Sequence, residues 1–343
     1  MKRKKLFIMP VFLLFLAGCY GRVQEAGDMA ETRFFGMDTD ISIKAYGKNA
    51  EAALEDAESK IAELEKLWSV TDENSDIYKI NCSRGEPVSI SSETKEILSF
   101  ALGMAEKTGG VLEPTIYPVI TAWGFTTEQN RIPSSSELQE ILENVDYRRV
   151  VLSGDEVALP DGMELDLGAV GKGYAADVVT DILKDRGVSS ALLNLGGNIQ
   201  AVGAKPDGSD WRVGLQNPFG DSYVGVLSVS DSAVVTSGSY ERYFIGDDGR
   251  RYGHILNPFT GYPAETGLAS VTIVAEAGKL SDALSTSLFV MGLEGAVDYW
   301  KENQDFEMIL FTEDGKICLT EGLEDKFELE PDYSNAEIEL ITR

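Results

Sequence analysis

Apolar and polar positions change period several times along this chain, and each change marks an element. Between Asp38 and Tyr46 the side chains alternate, with Ile41 and Ile43 against Ser42 and Lys44, which predicts a strand. From Glu51 to Trp68 the period lengthens. Leu54, Ala57, Ile61, Leu64 and Trp68 then share one helical face. Ser69 to Ser83 is rich in Ser, Asp and Asn and reads as a loop. Ser92 to Thr108 returns to the helical period, capped by Ser92 and closed by Gly109-Gly110. A shorter helix starts at Ser134 and runs to about Val145, and Arg149 to Leu159 reads as a hairpin around Ser153-Gly154-Asp155. Tyr174 to Arg186 is helical and stops at Gly187. Ser190 to Ala275 predicts short strands parted by Gly, Asn and Asp turns, and Lys279 to Met291 another helix. Phe306 to Thr320 predicts a hairpin turning at Glu313-Asp314-Gly315, and the stretch to Arg343 is acidic and weakly patterned. The mixture predicts an α+β (mixed α/β) fold, a largely antiparallel sheet with helices packed against it.

The N-terminus carries a different signal. Lys2, Arg3, Lys4 and Lys5 precede an apolar run, Leu6 to Leu16, too short to span a bilayer as a helix. Leu16-Ala17-Gly18-Cys19 then matches a lipoprotein cleavage site. Residues 1–18 are expected to be a secretory signal, Cys19 an acylated anchor, 19–31 a polar tether and 32–343 a single domain. A plain signal peptide with an incidental cysteine is the alternative. The expected location is the extracytoplasmic face of the cell membrane, and no second long apolar run offers another anchor.

Composition narrows the chemistry. The formal net charge is -27, and removing the four basic residues near the start takes it to -31. That balance argues against nucleic acid and against a basic surface for anionic lipid. Cys82 and Cys318 remain beside Cys19, too few to build a disulfide scaffold. His254 is the only histidine, so any imidazole chemistry falls to it.

Four segments combine turn-forming residues with chemically useful ones. Asp166-Leu-Gly-Ala-Val-Gly-Lys-Gly-Tyr174 leads into a helix, where exposed N–H groups and Lys172 would suit phosphate; a plain glycine turn is the alternative. It lacks the spacing of a Walker loop. Asn194-Leu-Gly-Gly-Asn198 permits close backbone approach to a ligand, or forms a bulge or tight turn. Thr236-Ser-Gly-Ser-Tyr-Glu-Arg242 and Gly253-His-Ile-Leu-Asn-Pro-Phe-Thr-Gly-Tyr-Pro263 read as two loops at one sheet edge. His254 there is either a general base or a structural histidine. In Ser281-Asp-Ala-Leu-Ser-Thr-Ser287, Asp282 and Thr286 share a helix face and form a sparse oxygen site of the kind Mg²⁺ takes when phosphates complete its shell. Asp282 as a first-turn acid is the alternative. Together the segments suggest metal-assisted attack on a pyrophosphate.

In this order, with Met37-Asp-Thr39, Ser69 to Asn81, Gly110 to Thr115 and Trp123-Gly-Phe125, the segments resemble the ApbE family of FAD:protein FMN transferases from about Phe34 to about Leu293. The resemblance implies a T-fold-like enzyme that moves the FMN half of FAD onto a threonine hydroxyl of an exported or membrane-bound acceptor protein, releasing AMP. It implies Mg²⁺ held by Asp282, Thr286 and the Ala169 carbonyl. It implies flavin contacts from Met37, Tyr78, Val111, Leu112 and Glu113, with Asp166, Lys172 and the backbone near Ile255 along the dinucleotide. His254 is the candidate base for the threonine, and Asp282 the competing one. FAD hydrolysis to FMN and AMP, or FAD binding without catalysis, are the alternatives. Asp38, Glu113 and Asn257 depart from the family's usual Gly, Asp and Asp.

Overall fold

A computed structural model of the chain describes residues 29–127 and 129–343. Cys19 and the expected signal segment lie outside the described residues. A nine-stranded sheet runs through the molecule. In spatial order its strands are β1 (Met29–Gly36), β2 (Thr39–Tyr46), β6 (Ser190–Leu195), β7 (Asn198–Val202), β10 (Ser232–Gly238), β13 (Leu268–Ala275), β14 (Phe306–Thr312), β15 (Ile317–Thr320) and β17 (Ile338–Ile341). Every pairing is antiparallel except β15 with β17. Among the described residues seven helices accompany it: α1 (Ala50–Trp68), α2 (Asp76–Asn81), α3 (Ser92–Lys107), α4 (Tyr117–Trp123), α5 (Ser135–Leu142), α6 (Gly171–Asp185) and α7 (Gly278–Glu302). The expected α+β, largely antiparallel architecture is the one observed.

Alternation along the sheet sorts its two faces. Ile41, Ile43, Leu193, Val271 and Ile273 face α1, α3, α6 and α7 in the main core. Ala201, Val234, Val274, Ile309 and Phe311 face a smaller sheet of β16 (Phe327–Leu329), β9 (Tyr223–Val229) and β8 (Trp211–Gln216). The sheet of β3 (Val88–Ser89), β5 (Glu156–Ala158) and β4 (Val151–Ser153) completes the hairpin expected at Gly154. A third core of Val119, Trp123, Phe125, Leu138, Tyr252 and Leu256 lies under the two-stranded hairpin of β11 (Tyr243–Ile245) and β12 (Arg251–Gly253). No helix among the described residues is long and apolar enough to cross a membrane.

Several boundaries differ from the sequence reading. The tether was expected to reach residue 31, yet β1 starts at Met29 and pairs along its whole length with β2. Asp38 lies in the intervening turn rather than at the strand start. The loop expected over Ser69 to Ser83 contains α2, whose N-cap Ser75 accepts from the Tyr78 N–H at 2.9 Å. The cap of α3 is Ser91, not Ser92. α6 starts at Gly171, three residues early, and α7 continues past Met291 through a left-handed break at Gly292 to Glu302. The C-terminal stretch supplies β16 and β17 despite its weak pattern.

Candidate functional site

Two glycines bring α6 and α7 into contact. A Cβ on Gly173 would lie 2.3 Å from the Gly278 carbonyl oxygen, and one on Gly278 would lie 2.6 Å from that of Gly173. Only hydrogen fits at either position. At this distance each helix supplies a carboxylate to the other's N-terminus. The Gly173 N–H donates to Asp282 Oδ2 at 2.9 Å. Asp177 accepts from the N–H groups of Gly278 and Lys279 at 2.6 and 3.1 Å. Carboxylates are favourable there because helix N-termini carry unpaired donors and positive potential. The seat expected for phosphate at the start of α6 is therefore partly filled by Asp282.

That diversion has a local consequence. With Gly173 bonded to Asp282, the Ala169 carbonyl accepts no hydrogen bond among the described residues. Asp282, only 4% exposed, has its Oδ1 unshared. Thr286 lies one turn on, with its hydroxyl 3.3 Å from Ser237 Oγ, which also meets Ser285 Oγ at 2.9 Å. One carboxylate oxygen, one hydroxyl and one free carbonyl are hard donors suited to Mg²⁺. No cluster of three His, Cys, Asp or Glu side chains able to hold a metal occurs among the described residues, so this set needs ligand phosphates or water to complete a shell.

The opposite wall is the corner between Arg242 and His254. Both the backbone N–H and Nδ1 of His254 lie 3.0 Å from the Arg242 carbonyl oxygen. A carbonyl only accepts, so Nδ1 carries the proton and Nε2 keeps its lone pair. Burial lowers the His254 pKa to about 4, and the Arg242 and Lys172 charges push the same way. The imidazole is thus neutral near pH 7. Arg242 fixes the corner from the other end: Nη2 donates to the Phe125 carbonyl at 2.5 Å, and Nη1 lies 3.6 Å from Asp38 Oδ2. Asn257 takes no part in orienting His254. Its side chain accepts from the Phe259 N–H at 2.9 Å and shapes its own turn.

Lys172 joins the walls. It makes no ion pair among the described residues, yet its charge acts on Asp166, Glu241 and His254 together. All three keep surface open to water, Glu241 the most, so with Lys172 they form one charged cluster at the surface. Burial raises the carboxyl pKa of Asp166, and its Oδ1 accepts from the Gly168 N–H at 2.8 Å. Burial also lifts Glu241 to about 7, with Asp282 adding and Lys172 opposing. Water at the exposed side of Glu241 tempers that shift, and a ligand covering it restores it. Glu241 and Arg242 were not singled out from sequence, although both lie in the Thr236–Arg242 segment that was.

The residues expected to meet flavin are distributed unevenly. Met37 and Asp38 form the β1–β2 turn with φ of 51° and 59°, a strained arrangement for two non-glycine residues. The Met37 methyl lies 3.7 Å from where a Cβ on Gly171 would be, over the start of α6. Tyr78 is half-buried on α2. Glu113 spends both oxygens on the protein: Oε1 accepts from the N–H and hydroxyl of Thr115, and Oε2 from the Tyr147 N–H. Its carboxylate therefore serves the loop. Leu112 is buried in the main core, and Val111 packs half-buried against it. Ile255 is buried, and its carbonyl accepts from the Ala264 N–H at 2.9 Å. The Asn194–Asn198 segment is the tight turn between β6 and β7. A Cβ on Gly196 would lie 2.1 Å from Thr39 Oγ1.

The family model described as the ApbE family matches residues 37–310. The FAD:protein FMN transferase of Treponema pallidum is 34% identical over 307 residues, 83% of this chain and 84% of that protein. That of Klebsiella pneumoniae is 32% identical over 290 residues, 83% and 89%. Among solved structures, the ApbE protein of Thermotoga maritima has a TM-score of 0.83 at 33% identity, covering 87% of this chain and 99% of that one. The apo flavinyl transferase ApbE of Pseudomonas stutzeri gives 0.77 at 27%, covering 85% and 93%. In the order of its segments and in its fold alike, this chain belongs to the ApbE family.

Proposed function

We propose that this protein transfers FMN from FAD to a threonine hydroxyl of an acceptor protein and releases AMP. The observation that carries the reading is a neutral His254, held through Nδ1 within the field of Lys172, whose charge acts together with that of Asp282 on neighbouring Glu241. The relatives named as FAD:protein FMN transferases support the same reaction class. In this reading the threonine Oγ attacks the phosphorus on the FMN side of the pyrophosphate. A new P–O bond forms, the bond to AMP breaks, and Nε2 of His254 takes the threonine proton. Lys172 lies beside the phosphates, and Asp166 along the dinucleotide.

Asp282, Thr286 and the Ala169 carbonyl would hold Mg²⁺. When bound, the ion neutralises charge on the pyrophosphate and on departing AMP. Asp282 is then a ligand, already sharing Oδ2 with Gly173, which leaves His254 as the base. The reading includes export, with a lipid on Cys19 holding the domain at the outer face of the membrane. FAD and acceptors would be met outside the cytoplasm.

The test is incubation of the mature domain with FAD, Mg²⁺ and a flavin-acceptor domain, followed by in-gel flavin fluorescence. A fluorescent acceptor band that needs Mg²⁺ is the expected result. FAD binding with no modified acceptor refutes transfer. Loss of labelled palmitate from a Cys19→Ser variant checks the anchor.

A further inference from the structure

We propose that the outer face and free edge of the β11–β12 hairpin seat the threonine-bearing segment of the acceptor protein. This rests on flavin transfer to a protein being the reaction. The hairpin has two unlike faces. Phe244 and Tyr252 point inward, stacked on each other at 5.4 Å and against Phe125 and Trp123 at 5.7 and 5.3 Å. That contact anchors the hairpin and fills its inner face. Tyr243 and Ile245 point outward, 43% and 58% exposed, and the Arg251 guanidinium lies 4.1 Å above the Tyr243 ring. Arg250 is paired with Glu265 and Arg242 with Asp38, whereas Arg251 has no carboxylate partner among the described residues.

The edge is open as well. Hydrogen bonds from the His254 N–H to the Arg242 carbonyl and from the Gly246 N–H to the Arg250 carbonyl set the alternation of the ladder. Backbone groups of Tyr243 and Ile245 consequently point away from β12, and they have no partner among the described residues. Unpaired strand groups beside apolar side chains are what an extended peptide uses to add a strand. The placement favours such an occupant. Tyr243 follows Arg242 directly and pairs with Gly253, the residue before His254. A strand laid along β11 advances about 3.3 Å per residue, so its end passes Arg242, the residue whose carbonyl holds His254.

Charge selects among occupants. A second copy of this chain brings a net charge of -27 to a surface already strongly acidic. An acceptor segment with one apolar residue for the Tyr243–Ile245 face and one carboxylate for Arg251 answers what the hairpin offers.

Tyr243→Ser, Ile245→Ser and Arg251→Glu variants test this with a purified flavin-acceptor domain from an exported redox protein. Transfer kinetics, acceptor affinity in the absence of FAD, and FAD affinity are measured in parallel. We expect the acceptor KM and Kd to rise about tenfold, with FAD affinity and melting temperature held. Unchanged acceptor Kd in all three variants, with transfer intact in the wild type, overturns the docking face alone. A wild type that neither binds nor modifies the acceptor overturns the face and the transferase reading together.

Discussion

The α6–α7 crossing and the Arg242–His254 corner are linked through the charge of Lys172 but are built on opposite terms. The crossing is buried, joined through two glycines, and each helix end is satisfied by a carboxylate from the other. The corner sits on a two-stranded hairpin over a small aromatic core, with exposed side chains around it. One side would meet phosphates and a cation, where fixed charge placement matters most. The other would meet a macromolecule, which needs an open approach. Preorganisation and access are divided between two walls rather than compromised in one.

Glycine substitutions should expose that division most strongly. Gly173→Ala puts a methyl against the Gly278 carbonyl and the Asp282 Cβ, so the helices must separate. We expect a loss of about 1–3 kcal/mol or more from overpacking, together with loss of transfer. In Gly253→Ala the nearest atom to the new Cβ is 3.8 Å away, an ordinary contact. Thermal melts of the pair should differ by several degrees. Equal melting temperatures would mean the crossing is not rigid.

Asp282→Asn keeps an acceptor for the Gly173 N–H but removes the charge. Mg²⁺-dependent transfer should fall on the order of 10²–10³-fold with the melt nearly unchanged. Calorimetry that still detects full Mg²⁺ affinity in the presence of FAD would remove Asp282 from the metal set. His254→Ala should slow transfer by about 10²-fold while leaving FAD affinity alone. If FAD affinity and rate fall together, His254 binds rather than accepts a proton.

Much of this was legible in the sequence, and the gaps have physical causes. Long amphipathic helices declared themselves because their apolar positions serve one core. α2 did not, because six residues held by the Ser75 cap and by Asp76 bonds to Ser91 and Thr94 have no period to read. The start of β1, Met29 to Glu31, falls in the expected tether because exposed Met29 and Glu31 offer no apolar alternation to read. At the site, Lys172, His254, Asp282 and Thr286 were named by chemistry; Asp282 and Thr286 lie on the helix expected and His254 in the loop expected, whereas Lys172 lies inside the first turn of α6 rather than ahead of it. Arg242 and Glu241 were not, because their roles depend on neighbours far along the chain. Arg242 acts through its own carbonyl and through Phe125, 117 residues away. The Asp282–Gly173 bond likewise spans 109 residues.

The smallest expected effect separates the walls by pH. Burial pushes Glu241 up toward about 7 in the folded chain, against an ordinary value of 4.5, and the water at its exposed side moderates that rise. Its contribution to stability is therefore complete below about 4.5 and is lost as pH rises through 7. His254 runs the other way. Its folded value of about 4 lies under the ordinary 6.5, so its contribution is complete above 6.5 and is lost as pH falls through 4. The two oppose each other across the same interval and partly cancel in the wild type. Glu241→Gln should remove the loss at high pH, so the variant gains on the wild type in melting temperature between pH 5 and about 8. His254→Ala should gain as pH drops from 6.5 toward 4. Melting curves at half-unit steps check both. Parallel wild-type and Glu241→Gln profiles would show that water at its exposed side cancels the burial of Glu241, leaving Lys172 and Asp282 as the charges that set its field.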